Sequence, residues 1–280
     1  MKLKLIETAL KDFYLDVISE HLNTTHPFLS AVEHTSRDVW GKYIRKFVAK
    51  DNKYFELCLE LSSLYGTIEI SEKAMRASEN CATARVALLN SEIEDMLRGI
   101  KSNMNRQLFY CGGISGFSDI FRKDGSIYGL DRAEYPQLVP YIKEDFGDLT
   151  ESKFFEVIDR FEDTPNFIIT THKIAQHIKQ IGCCNAIELS NGDRAFHWNG
   201  IVVLSDLKCP ECTMFILNSR DFTLHQLCDW QWLEGDDGKV LRKAANKPIY
   251  TATLVKYANL MCNNISNQAM LTGVVVDKEN

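Results

Sequence analysis

The stretch that decides the fold is SEKAMRASENCATARVALLNSEIEDMLRGIKSNMNRQLF, residues 71–109. Ser71 is a good N-cap residue, and Glu72 adds a negative charge to the first turn, where the helix dipole favours one. No proline interrupts the stretch before Gly112 and Gly113. The sequence therefore predicts one helix from Ser71 to Phe109, roughly 55–60 Å long at 1.5 Å per residue, far longer than most globular helices. Its apolar residues recur every three or four positions, as on one helix face: Ala82, Val86, Leu89, Ile93, Leu97, Ile100, Met104 and Leu108.

Two stretches before this helix predict a β-hairpin. The first, residues 39–49, is rich in Tyr, Ile, Phe and Val and carries the basic residues Lys42, Arg45 and Lys46. In the second, residues 54–61, apolar and polar positions alternate, as on a strand with one buried face. One side has Phe55, Leu57, Leu59 and Leu61, and the other has Glu56, Cys58 and Glu60. Because a two-stranded ribbon is marginal alone, we expect it to lie on another surface.

Apolar pairs from Leu5 to Leu22 predict an amphipathic N-terminal helix, which ends before Pro27. A helix at this position can dock on its own domain or on a neighbouring chain.

Residues 124–220 predict a compact α/β unit. Thr150 and Thr171 are expected N-caps of two helices, and three short apolar runs are expected strands: 167–170, 200–204 and 213–217. Beyond this unit the pattern is β. The stretches 230–233 and 239–242 flank a Gly- and Asp-rich turn and predict a second hairpin, followed by the apolar run 249–262.

Composition excludes several classes of function. The 280 residues are 45% apolar, enough for a sizeable core, and carry a net charge of −6, whereas proteins that grip nucleic acid by its phosphates usually show a basic excess. The nine cysteines are irregularly spaced and no signal peptide is recognisable, so we expect free thiols in a reducing cytosol. No apolar run approaches ~18 residues, and no membrane span is expected.

The best motif for chemistry is a possible zinc site. Cys209 and Cys212, followed by His225 and Cys228, have a spacing similar to that of zinc fingers. In a finger the second pair of ligands lies on a helix, whereas here it leads into a predicted strand, where His225 and Cys228 point to opposite faces. We therefore prefer buried free thiols and no metal. No catalytic or cofactor-binding motif is recognisable, and we expect no enzyme activity; a zinc-dependent regulatory or catalytic protein remains the alternative from another class.

The order of these elements resembles the major capsid protein of tailed bacteriophages, whose Hong Kong ninety-seven type fold is shared with encapsulins. Local strings across essentially the whole chain are similar to that family's. They are 27–30 with 38–42, 64–71, 105–109 with Gly112 and Gly113, 196–200 with Asp206, 209–211, 229–233 and 250–258.

The resemblance implies an α+β fold in four parts. They are an N-terminal arm (1–37), an extended β-hairpin loop (38–63), a peripheral domain with long strands (64–123 and 221–280, including a spine helix 71–109) and a compact α/β axial domain (124–220).

The resemblance also implies a structural protein without cofactor. Copies would assemble as hexamers and pentamers into an icosahedral head around double-stranded DNA, first in the host cytoplasm and finally in the virion. Portal, scaffold or decoration proteins would be further partners. The extended loop would lie over an adjacent copy, so that Lys42, Arg45 and Lys46 meet acids of a neighbour; the expected assembly contacts also include Glu56, Glu60, Glu92, Glu94 and Asp95. An encapsulin-like compartment is the alternative on the same fold.

Overall fold

The chain folds around two β-sheets, one long helix and a helical N-terminal arm, which confirms the predicted α+β class. The computed structural model describes residues 2–24, 26–50, 53–78, 81–181, 184–188 and 194–276. Within these residues, no helix combines the length and the apolar character that a membrane crossing requires.

The predicted long helix is divided in two, so the prediction of one continuous helix was wrong. The helices are Glu72–Ala77 and Ala82–Phe109. Ser71 caps the first one as predicted, because its hydroxyl accepts a hydrogen bond from the Ala74 N–H at 3.1 Å. At Ser78 the hydroxyl donates back to the Met75 carbonyl at 3.2 Å, a local bond that competes with helix continuation. The spine helix, Ala82–Phe109, has 28 residues and is therefore about 42 Å long.

The first sheet is organised by one long strand, Ile249–Cys262. On one edge it pairs antiparallel with Ser62–Ser71, and on the other with Phe222–Trp232 and Arg242–Lys243. Glu33–Thr35 adds a parallel strand beside Phe222–Trp232. The apolar run 249–262 thus forms a strand and the chain after residue 221 is mostly β, as predicted, whereas the length of Phe222–Trp232 was not predicted.

The predicted hairpin between 230–233 and 239–242 does not form. Both segments instead contribute to the same edge of Ile249–Cys262, and only a turn bond from Gly235 N to Lys239 O links their ends. A long central strand offers these segments a sheet on which to pair, whereas two short strands alone would be marginal.

The second sheet has seven strands and carries the two predicted helices, Glu151–Ile158 and His172–Ile181. The Thr150 hydroxyl caps the first of these helices through the Lys153 N–H. The three predicted strands are present, and Phe167–Thr170 pairs parallel with Ile201–Ser205. In spatial order the strands are Cys184–Glu188, Arg194–Trp198, Ile201–Ser205, Phe167–Thr170, Met214–Leu217, Ala269–Leu271 and Tyr141–Lys143. Ala269–Leu271 comes from the segment assigned to the peripheral domain, so the chain crosses between the sheets once more than expected.

The N-terminal arm is helical and lies on the first sheet. The helices Lys2–Ala9 and Leu15–Thr24 are joined by a π-helical turn, Leu10–Tyr14. The indole of Trp232 donates to the Leu10 carbonyl at 2.9 Å and so anchors this turn to the sheet.

Short elements complete the fold. A three-stranded ribbon lies between Glu33–Thr35 and Ser62–Ser71 in the chain, with strands Val39–Trp40, Tyr43–Lys50 and Lys53–Glu60. The further helices are Pro27–Ala31 and Phe117–Ile120, with 3₁₀ turns at Pro136–Leu138, Ser219–Asp221 and Ile265–Asn267. The remaining strand pairs are Ser126–Ile127 with Leu130–Asp131 and Gly147–Asp148 with Val274–Val275.

Candidate assembly surfaces

The ribbon has two faces of different character. Its two main strands pair in an antiparallel register in which Ile44 faces Leu59 and Arg45 faces Cys58. Because side chains alternate along a strand, one face, here called the inner face, has only apolar residues apart from Lys46. The inner face consists of Ile44, Lys46, Val48, Phe55, Leu57 and Leu59, and the outer face includes Tyr43, Arg45, Phe47, Glu56, Cys58 and Glu60.

The inner face is covered by its own chain. Ile44 and Leu57 are fully buried within the main hydrophobic core. The ring of Phe55 lies 5.8 Å from that of Tyr135. At the edge of the ribbon, the backbone N–H of Cys58 donates to the Tyr128 carbonyl at 2.9 Å. The ribbon is thus supported by its own chain at its inner face and at one edge. The face that remains for another copy is the outer one.

The charges of the ribbon pair with each other. Lys42 Nζ lies 3.0 Å from Glu60 Oε1, and Arg45 Nε lies 3.8 Å from Glu56 Oε1. All four side chains are well exposed, so solvent screens both pairs and they contribute little to stability. These cations are therefore free to exchange partners at little energetic cost.

Lys46 lies on the inner face of the ribbon, whereas Arg45 lies on the outer face. Lys46 is half-buried and lies near His225 of the first sheet. Burial is the main cause that lowers the pKa of His225, and the positive charge of Lys46 lowers it further. The three basic residues singled out in the sequence thus do not share one surface.

The acids of the spine helix face away from the core. Glu94 and Asp95, between the buried residues Ile93 and Met96, are exposed, and Glu92 is half-buried. Asp95 is ion-paired with Arg98 on the next turn. Within the described residues, the cations of the ribbon are not ion-paired with these three acids.

Large apolar side chains are exposed on both the ribbon and the arm, and the sequence analysis did not predict their exposure. On the ribbon, Trp40 and Phe47 are each 71% exposed, and on the arm Leu5, Val17 and Phe13 are 62%, 65% and 73% exposed. The signal was present: Phe47 is an aromatic residue on the polar face of an alternating strand. The arm's apolar residues come in pairs, so they cover a wider part of the helix surface than one buried stripe requires. We call Leu5, Phe13 and Val17 the arm stripe.

The four zinc candidates occupy different environments. Cys209 is buried, and its Sγ donates to the Thr213 carbonyl. Burial raises the pKa of this thiol well above its ordinary value, and this disfavours the thiolate that zinc requires. Cys212 is exposed on a turn with φ of 53°. His225 is buried and donates from Nδ1 to the Arg37 carbonyl at 3.1 Å, and Cys228 lies on the same strand. In the described part of the chain, no three such side chains come together as a metal site would need.

Comparisons with known proteins identify the fold. No family model matches the chain, and no curated protein is similar to it in sequence. Solved structures match over nearly the whole length. The capsid of cyanophage A-1(L) gives a TM-score of 0.65 at 11% identity, covering 90% of this chain and 93% of that one. The encapsulin of Synechococcus elongatus gives 0.61 at 15% identity, covering 92% and 91%. The virus-like particle of Pyrococcus furiosus gives 0.54 at 9% identity, covering 94% and 99%.

The fold of this chain thus recurs, over nearly its whole length, in proteins with little sequence in common with it. The chain has the Hong Kong ninety-seven type capsid fold, which phage capsid proteins and encapsulins share.

Proposed function

We propose that the chain is the major capsid protein of a tailed phage, a structural protein that assembles with copies of itself and catalyses no reaction. Copies form hexamers and pentamers, and these close into an icosahedral head around double-stranded DNA. Assembly takes place in the host cytoplasm with portal, scaffold or decoration proteins, and the finished protein resides in the virion.

The observation that carries this proposal is the exposure of large apolar side chains on the arm and the ribbon. Phe13 of the arm and Trp40 and Phe47 of the ribbon leave most of their surface in water in a single chain. Contiguous exposed apolar surface usually marks a site of protein association. In a fold common to shell proteins, a second copy is the partner that explains both exposed parts at once.

The contacts between copies then follow from the faces of the ribbon. The outer face docks with Phe47 at its centre, and Arg45 and Lys42 replace Glu56 and Glu60 by acids of the neighbour, such as Glu92 and Glu94. Lys46 lies on the covered inner face, so the proposal depends on Lys42 and Arg45 rather than on Lys46. Charge pairs of this kind fix the register of assembly more than its strength.

Electron microscopy of the purified chain tests the proposal. The chain is expressed alone and together with its neighbouring genes, and both samples are imaged in negative stain. Closed shells or hexameric sheets are the expected result. A particle that stays monomeric or dimeric in both samples contradicts the proposal.

An encapsulin-like compartment is the second candidate, and the match to the Synechococcus elongatus encapsulin favours it specifically. The content of the particles separates the two candidates. Nuclease-protected DNA, with portal and terminase genes nearby, supports the phage head. A packaged enzyme encoded beside the chain, with no protected DNA, supports the compartment.

A further inference from the structure

Two cysteines of the motif that the sequence analysis weighed as a zinc site border one cavity. Cys209 and Cys212 lie in the loop before the strand Met214–Leu217, and both line a cavity of about 230 Å³. The lining also includes the first turn of the helix His172–Ile181 and Val274. Neither thiol takes part in a disulfide. The two thiols therefore share one space that the proposed function does not use.

The two thiols differ in their access to solvent. Cys209 is buried, whereas Cys212 is exposed on its turn. The Cys212 carbonyl accepts a hydrogen bond from the Val274 N–H at 3.0 Å, which holds the loop against the strand Val274–Val275. A ligand can therefore reach the buried thiol through the cavity that Cys212 borders.

We propose that Cys209 and Cys212 bind one soft monovalent metal ion, Cu(I), between their two sulfurs. Thiolate sulfur is the ligand that favours soft ions. Zinc in a structural site needs four donors, and in the described part of the chain no three metal-binding side chains come together. Cu(I) is satisfied by two sulfurs alone, so it is the ion that such a pair can hold.

The charges at the cavity permit this complex. Both thiols lose a proton when the ion binds, so two protons are released and the Cu(I) dithiolate carries one net negative charge. Lys173 borders the cavity, and within the described residues its ammonium has no ion-pair partner. The carboxylate of Asp206 is already engaged by hydrogen bonds from the Lys208 N–H and Asn105. Glu211 is exposed, and water screens its charge.

Burial makes the pair selective among metal ions. It raises the pKa of the Cys209 thiol above the ordinary value, so the removal of its proton costs free energy. Only an ion that forms strong bonds to thiolate sulfur offsets this cost. Zn(II), which would find only two sulfurs here, is expected to bind much more weakly than Cu(I).

A bound ion would stiffen a loop that joins three parts of the fold. The same loop carries Asp206, whose Oδ1 accepts a hydrogen bond from Asn105 of the spine helix at 3.2 Å. Asp206 Oδ2 lies 3.4 Å from Nε2 of His26, at the end of the arm. An ion that binds only the folded chain stabilises it by mass action. Cu(I) should therefore raise the unfolding temperature of the unassembled chain.

Transfer of copper from a competing chelator tests the proposal. The full-length chain is reduced, freed of reductant under nitrogen and titrated with the Cu(I) complex of bicinchoninate, whose colour is lost as the protein takes the ion. One ion per chain is expected to bind most tightly and to raise the unfolding temperature, whereas Zn(II) at the same concentration should not. A chain that takes no Cu(I) from the chelator overturns the proposal.

Alkylation identifies the thiols that hold the ion. Because Cys212 is exposed, it should react with iodoacetamide in the metal-free protein and be protected once one Cu(I) is bound. Mass spectrometry of the digested protein locates the label. If Cys212 reacts equally fast with and without Cu(I), the ion lies elsewhere and the proposal is wrong.

Matched variants separate this pair from the other thiols. Cys212→Ser should lose the tightly bound ion and the rise in unfolding temperature, and circular dichroism verifies that it remains folded. Cys111→Ser is the control, because Cys111 is also exposed but lies beside Ser118 and Arg122, away from the cavity. Tight binding that persists in Cys212→Ser, or that is lost equally in Cys111→Ser, contradicts the proposal. Because the ion is held within one chain, the result does not depend on whether copies assemble.

Discussion

Gly66 lies so close to Ile100 of the spine helix that a Cβ on Gly66 would be 2.5 Å from Ile100 Cδ1 and 2.7 Å from its Cγ1. Met96 Cγ closes the same space at 2.8 Å. Gly66→Ala should therefore force the helix away from the first sheet and destabilise the chain by about 1–3 kcal/mol, the usual cost of overpacking. Urea unfolding measures this difference.

Gly99, on the same helix, is the matched control. A Cβ on Gly99 would meet nothing within 4 Å. Gly99→Ala should stabilise the chain by about 0.5–1 kcal/mol, because alanine has the better helix propensity. Equal effects of the two substitutions would show that the approach of the helix to the strand is not the determining contact.

The sequence predicted elements with local signatures better than partners distant along the chain. The Ser71 and Thr150 caps and the alternation around Leu57 depend on neighbours within a few residues, and they are confirmed. The break at Ser78 was missed because serine is compatible with a helix until its hydroxyl bonds backward. The strand Ala269–Leu271 was missed because nothing local tells which of two sheets will accept a short apolar segment.

The assembly surfaces could be predicted only in part. Charge along residues 42–60 was visible in the sequence, but the register that pairs Lys42 with Glu60 and turns Lys46 inward is a property of the folded ribbon. The cavity that Cys209 and Cys212 border joins three distant segments, of which only the two cysteines could be read from spacing.

Arg132 should be one of the most sensitive polar positions. It is buried and donates to four backbone carbonyls, those of Asp119, Ile120, Asp124 and Leu138. Arg132→Met leaves these carbonyls without their donor, and we expect a loss of roughly 3 kcal/mol in the free energy of unfolding. Thermal or urea unfolding provides the measurement.

Arg98→Met serves as the comparison for Arg132. Arg98 is exposed and pairs with Asp95 on its own helix. A change below roughly 0.5 kcal/mol is expected from an exposed pair of this kind. If both arginine variants lost the same stability, the network of Arg132 would have no special weight.

Asp206 should make stability fall at acid pH. Burial alone would raise the pKa of Asp206, but the nearby His26, whose Nε2 lies 3.4 Å from Asp206 Oδ2, and hydrogen bonds from the Lys208 N–H and Asn105 outweigh it and hold the pKa below the ordinary value. The ionised carboxylate therefore stabilises the fold fully above the unfolded pKa of about 3.9, and this contribution is lost as pH falls through the lower folded pKa. Asp206→Asn should be less stable than wild type at neutral pH, and the difference should shrink below about pH 4.

Asp221 has the opposite sign and is the control for Asp206. Its burial raises the pKa and outweighs hydrogen bonds from Asn267 and Gln268. Protonation at low pH therefore favours the folded state at this position. As pH falls, wild type should gain stability relative to Asp221→Asn while it loses stability relative to Asp206→Asn. Parallel pH profiles of the two variants, measured by urea unfolding, would contradict both assignments.

Phe47→Ser should separate assembly from folding. Phe47 is 71% exposed on the outer face of the ribbon and contributes little to the core of its own chain, so the unfolding temperature of the unassembled protein should stay nearly constant. If the outer face docks on a neighbouring copy, the loss of this aromatic side chain should raise the protein concentration needed for shells by at least about tenfold, as expected for a residue at the centre of an interface. Light scattering against concentration, with electron microscopy of the products, gives the measurement.

Leu57→Ala on the inner face is the converse control: Leu57 is buried, and its truncation should cost about 2–5 kcal/mol of stability. Shells that form from Phe47→Ser at the wild-type concentration would show that the outer face of the ribbon is not an assembly surface.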